Sequence, residues 1–275
     1  MTQNKIIAIW GNPNSGKTTL SIKLALELEK MGKSVMVIMA DANTPGISTI
    51  LPFMDTKDKS LGEVLSSVEV TQESILKKCM TLEKHKNIAL MSYLHGENLR
   101  TYADYGKDRT LDFFILLRHL ADHIIVDCSS YFHHALLTRA ALELSDQVVR
   151  LTTPDLKAVS FFDALMPLLA ERKFGVEHHL KVLSNVKPQY PKDIVASRFG
   201  GIGMALPYTS ELENQHLEAR LFENLTDKNS LFYNMEVKKL VGVILGNAQV
   251  YTDKEVKPKE SRLKKTTFFR KGVKN

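Results

Sequence analysis

The chain has 275 residues, 44% hydrophobic and 25% charged, which describes an ordinary globular protein of one large domain or two small ones. Its two cysteines, Cys79 and Cys128, lie far apart with no C-x-x-C spacing, which excludes a disulfide framework and a thiolate zinc site; both read as buried thiols. The net charge of +6 is local, because nine Lys or Arg and three Asp or Glu fall in residues 251–275, leaving the first 250 residues with 28 of each sign. No apolar run approaches the roughly 20 residues of a membrane helix, and the chain enters its first apolar run at Lys5, which leaves no room for a signal peptide. The expectation is a cytoplasmic protein.

Lys5 to Trp10 (Lys-Ile-Ile-Ala-Ile-Trp) reads as a short buried strand. It empties into Gly11-Asn12-Pro13-Asn14-Ser15-Gly16-Lys17-Thr18, which fits G-x-x-x-x-G-K-[ST], the phosphate-binding P-loop. In such a loop backbone N–H groups surround the phosphates, the lysine reaches the β and γ oxygens, and the final hydroxyl can ligate Mg²⁺. Gly11, Asn12, Asn14, Ser15, Gly16, Lys17, Thr18 and Thr19 are therefore the candidate nucleotide-binding residues. Leu20, Leu24, Leu28 and Met31 then recur at helical spacing and Gly32 ends the run, so a helix N-terminus faces the phosphates.

Ser34 to Ala40 is a second apolar strand, delivering Asp41 to the edge of the sheet where ligands gather. Residues 55–86 are mixed and polar and read as a connecting region with a helix from Gln72 to Leu82. Asn87 to Tyr93 is a third strand. The following stretch to Lys107, with Gly96 and Gly106, reads as a long loop that lines or covers a site. Thr110 to Ala121 has helical spacing and leads into His123-Ile124-Ile125-Val126-Asp127. An apolar strand ending in Asp has the form of a Walker B element, with Asp127 holding Mg²⁺ through a water; the same carboxylate could instead cap a helix beginning near His133. His133 and His134, adjacent on a helix, would point in different directions and make a poor metal pair.

Gln147 to Leu151 is a further strand, Leu156 to Lys173 a helix bent or divided at Pro167, and Leu180 to Val186 a strand that brings Asn185 to the ligand edge. Pro207 follows Met204-Ala205-Leu206, and Thr209-Ser210-Glu211 opens another helix. Alternation at this spacing predicts a single α/β domain over residues 1–250, with a mostly parallel sheet covered by helices on both faces.

With the P-loop, Asp41, Asp127 and Asn185 on one edge, residues 4 to 246 resemble the ParA/MinD group of P-loop ATPases. The resemblance implies that Asp41 belongs to switch I, helps place the attacking water and lies near the metal. It implies that Cys128-Ser129-Ser130 stands at switch II, that Asn185 reads the adenine ring, and that Leu206-Pro207-Tyr208 is the turn packing Pro207 beside the base. ATP and Mg²⁺ are the implied cofactors, a nucleotide-dependent homodimer the implied assembly, and positioning of a pilus, secretion, plasmid or division assembly the implied role, with a protein partner of unknown identity. Asn12 departs from the group's signature lysine, which reaches across the dimer, and Met39 replaces the first acid of its Asp-x-Asp. Those departures imply slow hydrolysis and resemble the CpaE/TadZ branch. Two other readings stay open: a nucleotide-dependent scaffold that scarcely hydrolyses, and a small-molecule ligase or kinase using the 93–107 loop with Arg100.

The tail, residues 251–275, reads as disordered and solvated. Lys264, Lys265, Arg270 and Lys271 surround Leu263, Phe268 and Phe269, so 257–274 also fits an anionic membrane surface or nucleic-acid phosphates. The lipid reading implies a peripheral location at the inner face of the membrane.

Overall fold

The computed structural model describes residues 5–190 and 192–246. The expectations for the tail lie outside the described residues. Eight strands form one sheet: β1 (Lys5–Gly11), β2 (Val35–Met39), β3 (Met80–Leu82), β4 (His85–Ser92), β5 (His123–Asp127), β6 (Gln147–Thr152), β7 (Leu180–Val186) and β8 (Met204–Pro207). Their order is β3-β4-β2-β5-β1-β6-β7-β8, and every pairing is parallel except β3 with β4. β1 sits inside the sheet between β5 and β6, so Ile6 to Trp10 are fully buried. A strand buried on both faces has no need of polar alternation, which is why β1, β2 and β5 are almost wholly apolar in sequence.

Successive side chains of β1 feed opposite layers. Ile6, Ala8 and Trp10 join one core with Phe113, Phe114, Leu137 and Phe162, supplied by α5 (Lys107–Leu117), α6 (Leu136–Leu144) and α7 (Leu156–Leu165). Ile7 and Ile9 join the other core with Leu20, Leu24, Val237 and Leu240, supplied by α1 (Lys17–Lys30) and α10 (Lys228–Leu245). Each such side chain contributes roughly 1.5–3 kcal/mol by burial. Helices on both faces of a mostly parallel sheet is the expected architecture.

Residues 55–86 differ from expectation. They hold α3 (Leu61–Ser66), α4 (Gln72–Lys78) and β3, and Leu61, Val64, Leu65 and Ile75 are buried in the first core, so the stretch is structural and no mere connection. The helix predicted to Leu82 stops at Lys78. Thr71 and Ser74 cap its start reciprocally, but Cys79 turns to extended geometry, and Met80–Leu82 pair antiparallel with β4 at the sheet edge. Tertiary pairing overrides a local helical pattern there.

The helix predicted over 156–173 ends at Leu165 and gives way to a short 3₁₀ turn, Met166–Leu169, whose Pro167 lacks the N–H that would continue the ladder. His133 and His134 lie in a 3₁₀ turn with ring centroids 4.0 Å apart, so they neighbour each other instead of diverging. The described residues contain no group of three or more metal-type side chains, and no helix among them is long and apolar enough to cross a membrane.

The 93–107 loop also departs from its expected place. Glu97 accepts hydrogen bonds from Ser60 Oγ (2.7 Å), Leu94 N (2.7 Å) and Tyr102 OH (2.6 Å), and Tyr93 and Tyr105 share a 2.9 Å hydroxyl contact. Tyr102 lies against Gly62, where a Cβ would meet its ring at 2.4 Å. The loop folds over α3 and none of its residues lines the main cavity.

Candidate functional site

The carboxyl ends of β1, β2, β5 and β7 open into a cavity of about 670 Å³, a size suited to a small organic ligand. β1 ends at Gly11, where a Cβ would lie 1.9 Å from the Leu151 carbonyl oxygen; the backbone of β6 passes that close. Asn14 (φ 60°) and Gly16 (φ 81°) then adopt left-handed geometry, curling the loop around Ser15. Asparagine tolerates that region better than most side chains. Ser184 Oγ of β7 donates to the Ser15 carbonyl at 2.6 Å and holds the loop from beneath.

α1 starts at Lys17 with no side-chain cap and no acidic residue in its first turn. Its first N–H groups have no intrahelical acceptor, and the positive end of the helix dipole favours an anion. Lys17 Nζ donates to Ser130 Oγ (2.7 Å) and to the Asn12 carbonyl (3.2 Å). Burial pushes its pKa down, while Asp127, Asp41 and Cys128 pull it up. Thr18 Oγ1 donates to Asp127 Oδ2 at 2.5 Å. Burial raises the Asp127 carboxyl to about 6, against the opposing pull of the Thr18 bond and Lys17. Asp127 therefore bonds Thr18 and caps no helix; α6 begins at Leu136 without a side-chain cap.

Asp41 lines the same cavity from the end of β2. Its Oδ1 accepts from Asn43 N (3.0 Å) and Thr44 N (3.3 Å), and its Oδ2 from Thr44 Oγ1 (3.2 Å), which fixes the carboxylate in a turn. Asn14, Ser15, Gly16, Lys17, Thr18, Thr19 and Asp127 line the cavity with it. Asn185 (φ 54°) and Pro207 form its other end. Pro207 is paired with Val186, and Tyr208 N donates to the Val186 carbonyl at 3.0 Å, so the two strand ends form one wall.

Gly11 and Asn12 are not part of the lining. Asn12 is 5% exposed and turned toward β6, its Nδ2 donating to Thr153 Oγ1 (2.9 Å) and its Oδ1 accepting from Thr153 N (3.2 Å). Ser130 and Tyr208 line the cavity where the resemblance placed switch II and the turn at Pro207, whereas Ser184, Glu213 and His216 carried no motif. Tyr208 is held by the Lys187 ammonium, 4.3 Å from its ring centroid, and donates to Glu213 Oε2 at 2.5 Å. No local signal marks Ser184, Glu213 or His216.

Comparison with known proteins agrees with this geometry. Residues 4–182 match the AAA domain family. The septum site-determining protein MinD of Thermotoga maritima is 24% identical over 192 residues, 69% of this chain and 66% of that protein. An uncharacterized ATP-binding protein of Methanocaldococcus jannaschii is 27% identical over 150 residues, 54% of this chain and 52% of its own length. The chain thus spans between about half and two thirds of the curated relatives it matches. Among solved structures, MinD of Pyrococcus horikoshii, complexed with Mg-ADP, superposes with a TM-score of 0.65 at 16% identity, covering 87% of this chain and 95% of that one. A ParA family ATPase of Chlorobium tepidum reaches 0.71 at 14% identity, covering 86% and 98%. Those structural likenesses show the fold, which is that of these MinD and ParA family ATPases, and the family match over most of the chain shows more: this protein belongs to the AAA domain family.

Proposed function

We propose that this protein is a Mg·ATP-dependent switch of the ParA/MinD type that dimerises around nucleotide, hydrolyses it slowly and positions a larger assembly through a protein partner. The observation that carries the reading is the convergence, in one cavity, of Lys17 with the Thr18–Asp127 pair at one end and Asn185 with Pro207 at the other. The donor set fits the ligands: an uncapped helix N-terminus and a buried ammonium suit phosphates, while a hydroxyl and a buried carboxylate suit a hard cation.

Lys17 and the loop amides would hold the phosphates, and Thr18 and Asp127 would hold the metal. Bound there, Mg²⁺ would offset negative charge on the phosphate oxygens. Asp41, fixed by its turn, would orient water for in-line attack. Asn185 and Pro207 would receive the base. The relative from Pyrococcus horikoshii was solved with Mg-ADP, which supports the choice of ligand.

Purified protein with Mg·ATP, followed for phosphate release and by light scattering beside an ADP control, tests this reading. Turnover with ATP-dependent dimerisation is expected, and Asp41→Ala is expected to abolish turnover while ATP still binds. An Asp41→Ala protein that hydrolyses at the wild-type rate refutes the assigned role.

The geometry of Asn12 favours a second reading, a scaffold that binds nucleotide and scarcely turns over. Its amide is committed to Thr153, leaving no cation at the position of the group's signature lysine. Tight ATP binding without phosphate release in the wild type, with release appearing in Asn12→Lys, would decide for the scaffold. A ligase or kinase reading loses its support, because the 93–107 loop is turned away from the cavity.

A further inference from the structure

Lys23 lies six residues beyond Lys17 on α1, is 4% exposed, and is absent from the cavity lining. Its Nζ donates to Gln215 Oε1 (2.7 Å), to the Leu221 carbonyl (2.7 Å) and to the Glu223 carbonyl (2.8 Å). An ammonium has three N–H groups, and here each finds one acceptor. All three acceptors are neutral, so the contact is no ion pair. It is a tripod, and its feet stand on a segment almost 200 residues away in the chain.

That segment needs the anchor. α9 (Ser210–Leu217) ends in a turn through Ala219, held at φ 55°, and residues 218–227 that follow contain no helix or strand. Leu221 and Leu225 bury into the second core, and a set of hydrogen bonds converges on α9: Arg220 N to the Gln215 carbonyl (2.7 Å), Gln215 Nε2 to the Asn224 carbonyl (3.1 Å), and Thr226 N and Asp227 N to the Glu211 carboxylate (2.7 and 3.0 Å). Lys23 ties this knot to the helix that begins at the P-loop. Gln215 is buried, while Leu212, Glu213 and His216 of the same helix line the end of the cavity shared with Asn185 and Pro207.

We propose that Lys23 is a positioning residue that fixes the base-side wall of the cavity to the phosphate-gripping helix, so that base and phosphates are held in one rigid frame. The inference rests on the nucleotide reading above and adds to it a residue that touches no nucleotide. Without the tripod, α9 would keep its cap at Thr209 and its pairing through Tyr208, but lose its register against α1.

The discriminating experiment compares two ligands by isothermal titration: ATP, which spans the cavity, and inorganic tripolyphosphate, which occupies the phosphate half alone. Lys23→Met preserves side-chain length and removes the donors. It is expected to weaken ATP binding about 10-fold while tripolyphosphate binding changes less than about 2-fold, with the folded fraction checked by circular dichroism. A general structural defect would weaken both ligands together, and that result, or no change in either, overturns the proposal. Should Lys23→Met not fold, Gln215→Leu removes one foot and is expected to produce a selective loss of about 3-fold; the absence of selectivity there overturns it equally. Wild-type protein that binds neither ligand would instead refute the nucleotide reading itself, a result distinct from a wild type and variant that both bind ATP tightly.

Discussion

The two glycines that bracket the P-loop are required for different reasons, and substitution by alanine separates them. At Gly11 a Cβ would sit 1.9 Å from the Leu151 carbonyl oxygen, 2.8 Å from its carbon and 3.0 Å from Ser15 Oγ. A comfortable C···O contact begins at roughly 3.3 Å, so β1 and β6 must part by about 1.4 Å at the Gly11↔Leu151 register position. Two ladder hydrogen bonds in a fully buried strand would be stretched or broken. At about 1 kcal/mol each, plus 1–3 kcal/mol for a buried group left unpaired, the cost is about 3–5 kcal/mol. That is a large share of the roughly 5–15 kcal/mol that holds a typical domain together. At Gly16 the situation is reversed: φ is 81° and a Cβ would meet nothing within 4 Å, so Gly16→Ala incurs only left-handed backbone strain of about 1–2 kcal/mol. Urea denaturation of the two variants, with circular dichroism as the probe, measures both. Gly16→Ala is expected to remain folded yet bind nucleotide weakly, because the curl that aims the amides is altered. A Gly11→Ala protein within about 1 kcal/mol of wild type, or no less stable than Gly16→Ala, would refute the packing argument.

Two further predictions concern buried charge away from the cavity. Arg150 is 4% exposed, stacks its guanidinium 4.7 Å from the Phe199 ring, donates to Met166 Sδ and leaves Nε unpartnered, with burial lowering its pKa to about 10. Arg150→Met loses about 1–2 kcal/mol of cation–π attraction but relieves the unpaired donor and the buried charge, so its urea midpoint is expected at or above wild type; a loss beyond about 2 kcal/mol would refute this. Burial lowers His179 from 6.5 to about 4, so between those pH values the unfolded chain takes up a proton that the folded one refuses. Its contribution is fully present above pH 6.5 and is lost as pH falls toward 4, by up to about 3 kcal/mol. His179→Gln should flatten that part of the stability–pH curve, and an unchanged slope would exclude His179 as its source.

What was legible in the sequence follows physical range. β1, β2 and β5 could be read because strands buried on both faces are continuous apolar runs, with β1 emptying into the P-loop, β2 leading to Asp41 and β5 ending at Asp127. Lys17, Thr18 and Asp127 could be read because a P-loop is local and a Walker B strand is local, although the 2.5 Å bond joining them crosses 109 residues. β3 could not, since three residues after a run of good helix formers carry no period, and their pairing with β4 decides them. The 93–107 loop has the composition of a site-lining loop, but Glu97 bonds the Ser60 cap of α3, the Tyr93 and Tyr102 rings lie against Gly62, and Tyr105 bonds Tyr93, contacts that no spacing reveals. Ser184 and Thr153 act through hydrogen bonds spanning 169 and 141 residues, and a lone serine or threonine has no pattern.

The P-loop motif itself leaves four positions unspecified, and the structure divides them. Asn12 faces β6 and satisfies Thr153 N–H, Asn14 supplies a left-handed residue, and Ser15 offers its carbonyl to Ser184 of β7. Asn12 thus answers to the end of β6 and Ser15 to β7. The loop is therefore a joint among β1, β6 and β7, and the same joint is tied through α1 and Lys23 to α9 on the far side of the cavity. A signature lysine at position 12 would have to leave Thr153 N–H without its acceptor, or reach the cavity by a different path. The asparagine gives this chain a phosphate loop anchored inward to its own sheet, where the group's lysine reaches outward to a second subunit. That inward anchoring leaves no side-chain cation at position 12, which is the observation on which the slow hydrolysis proposed above rests.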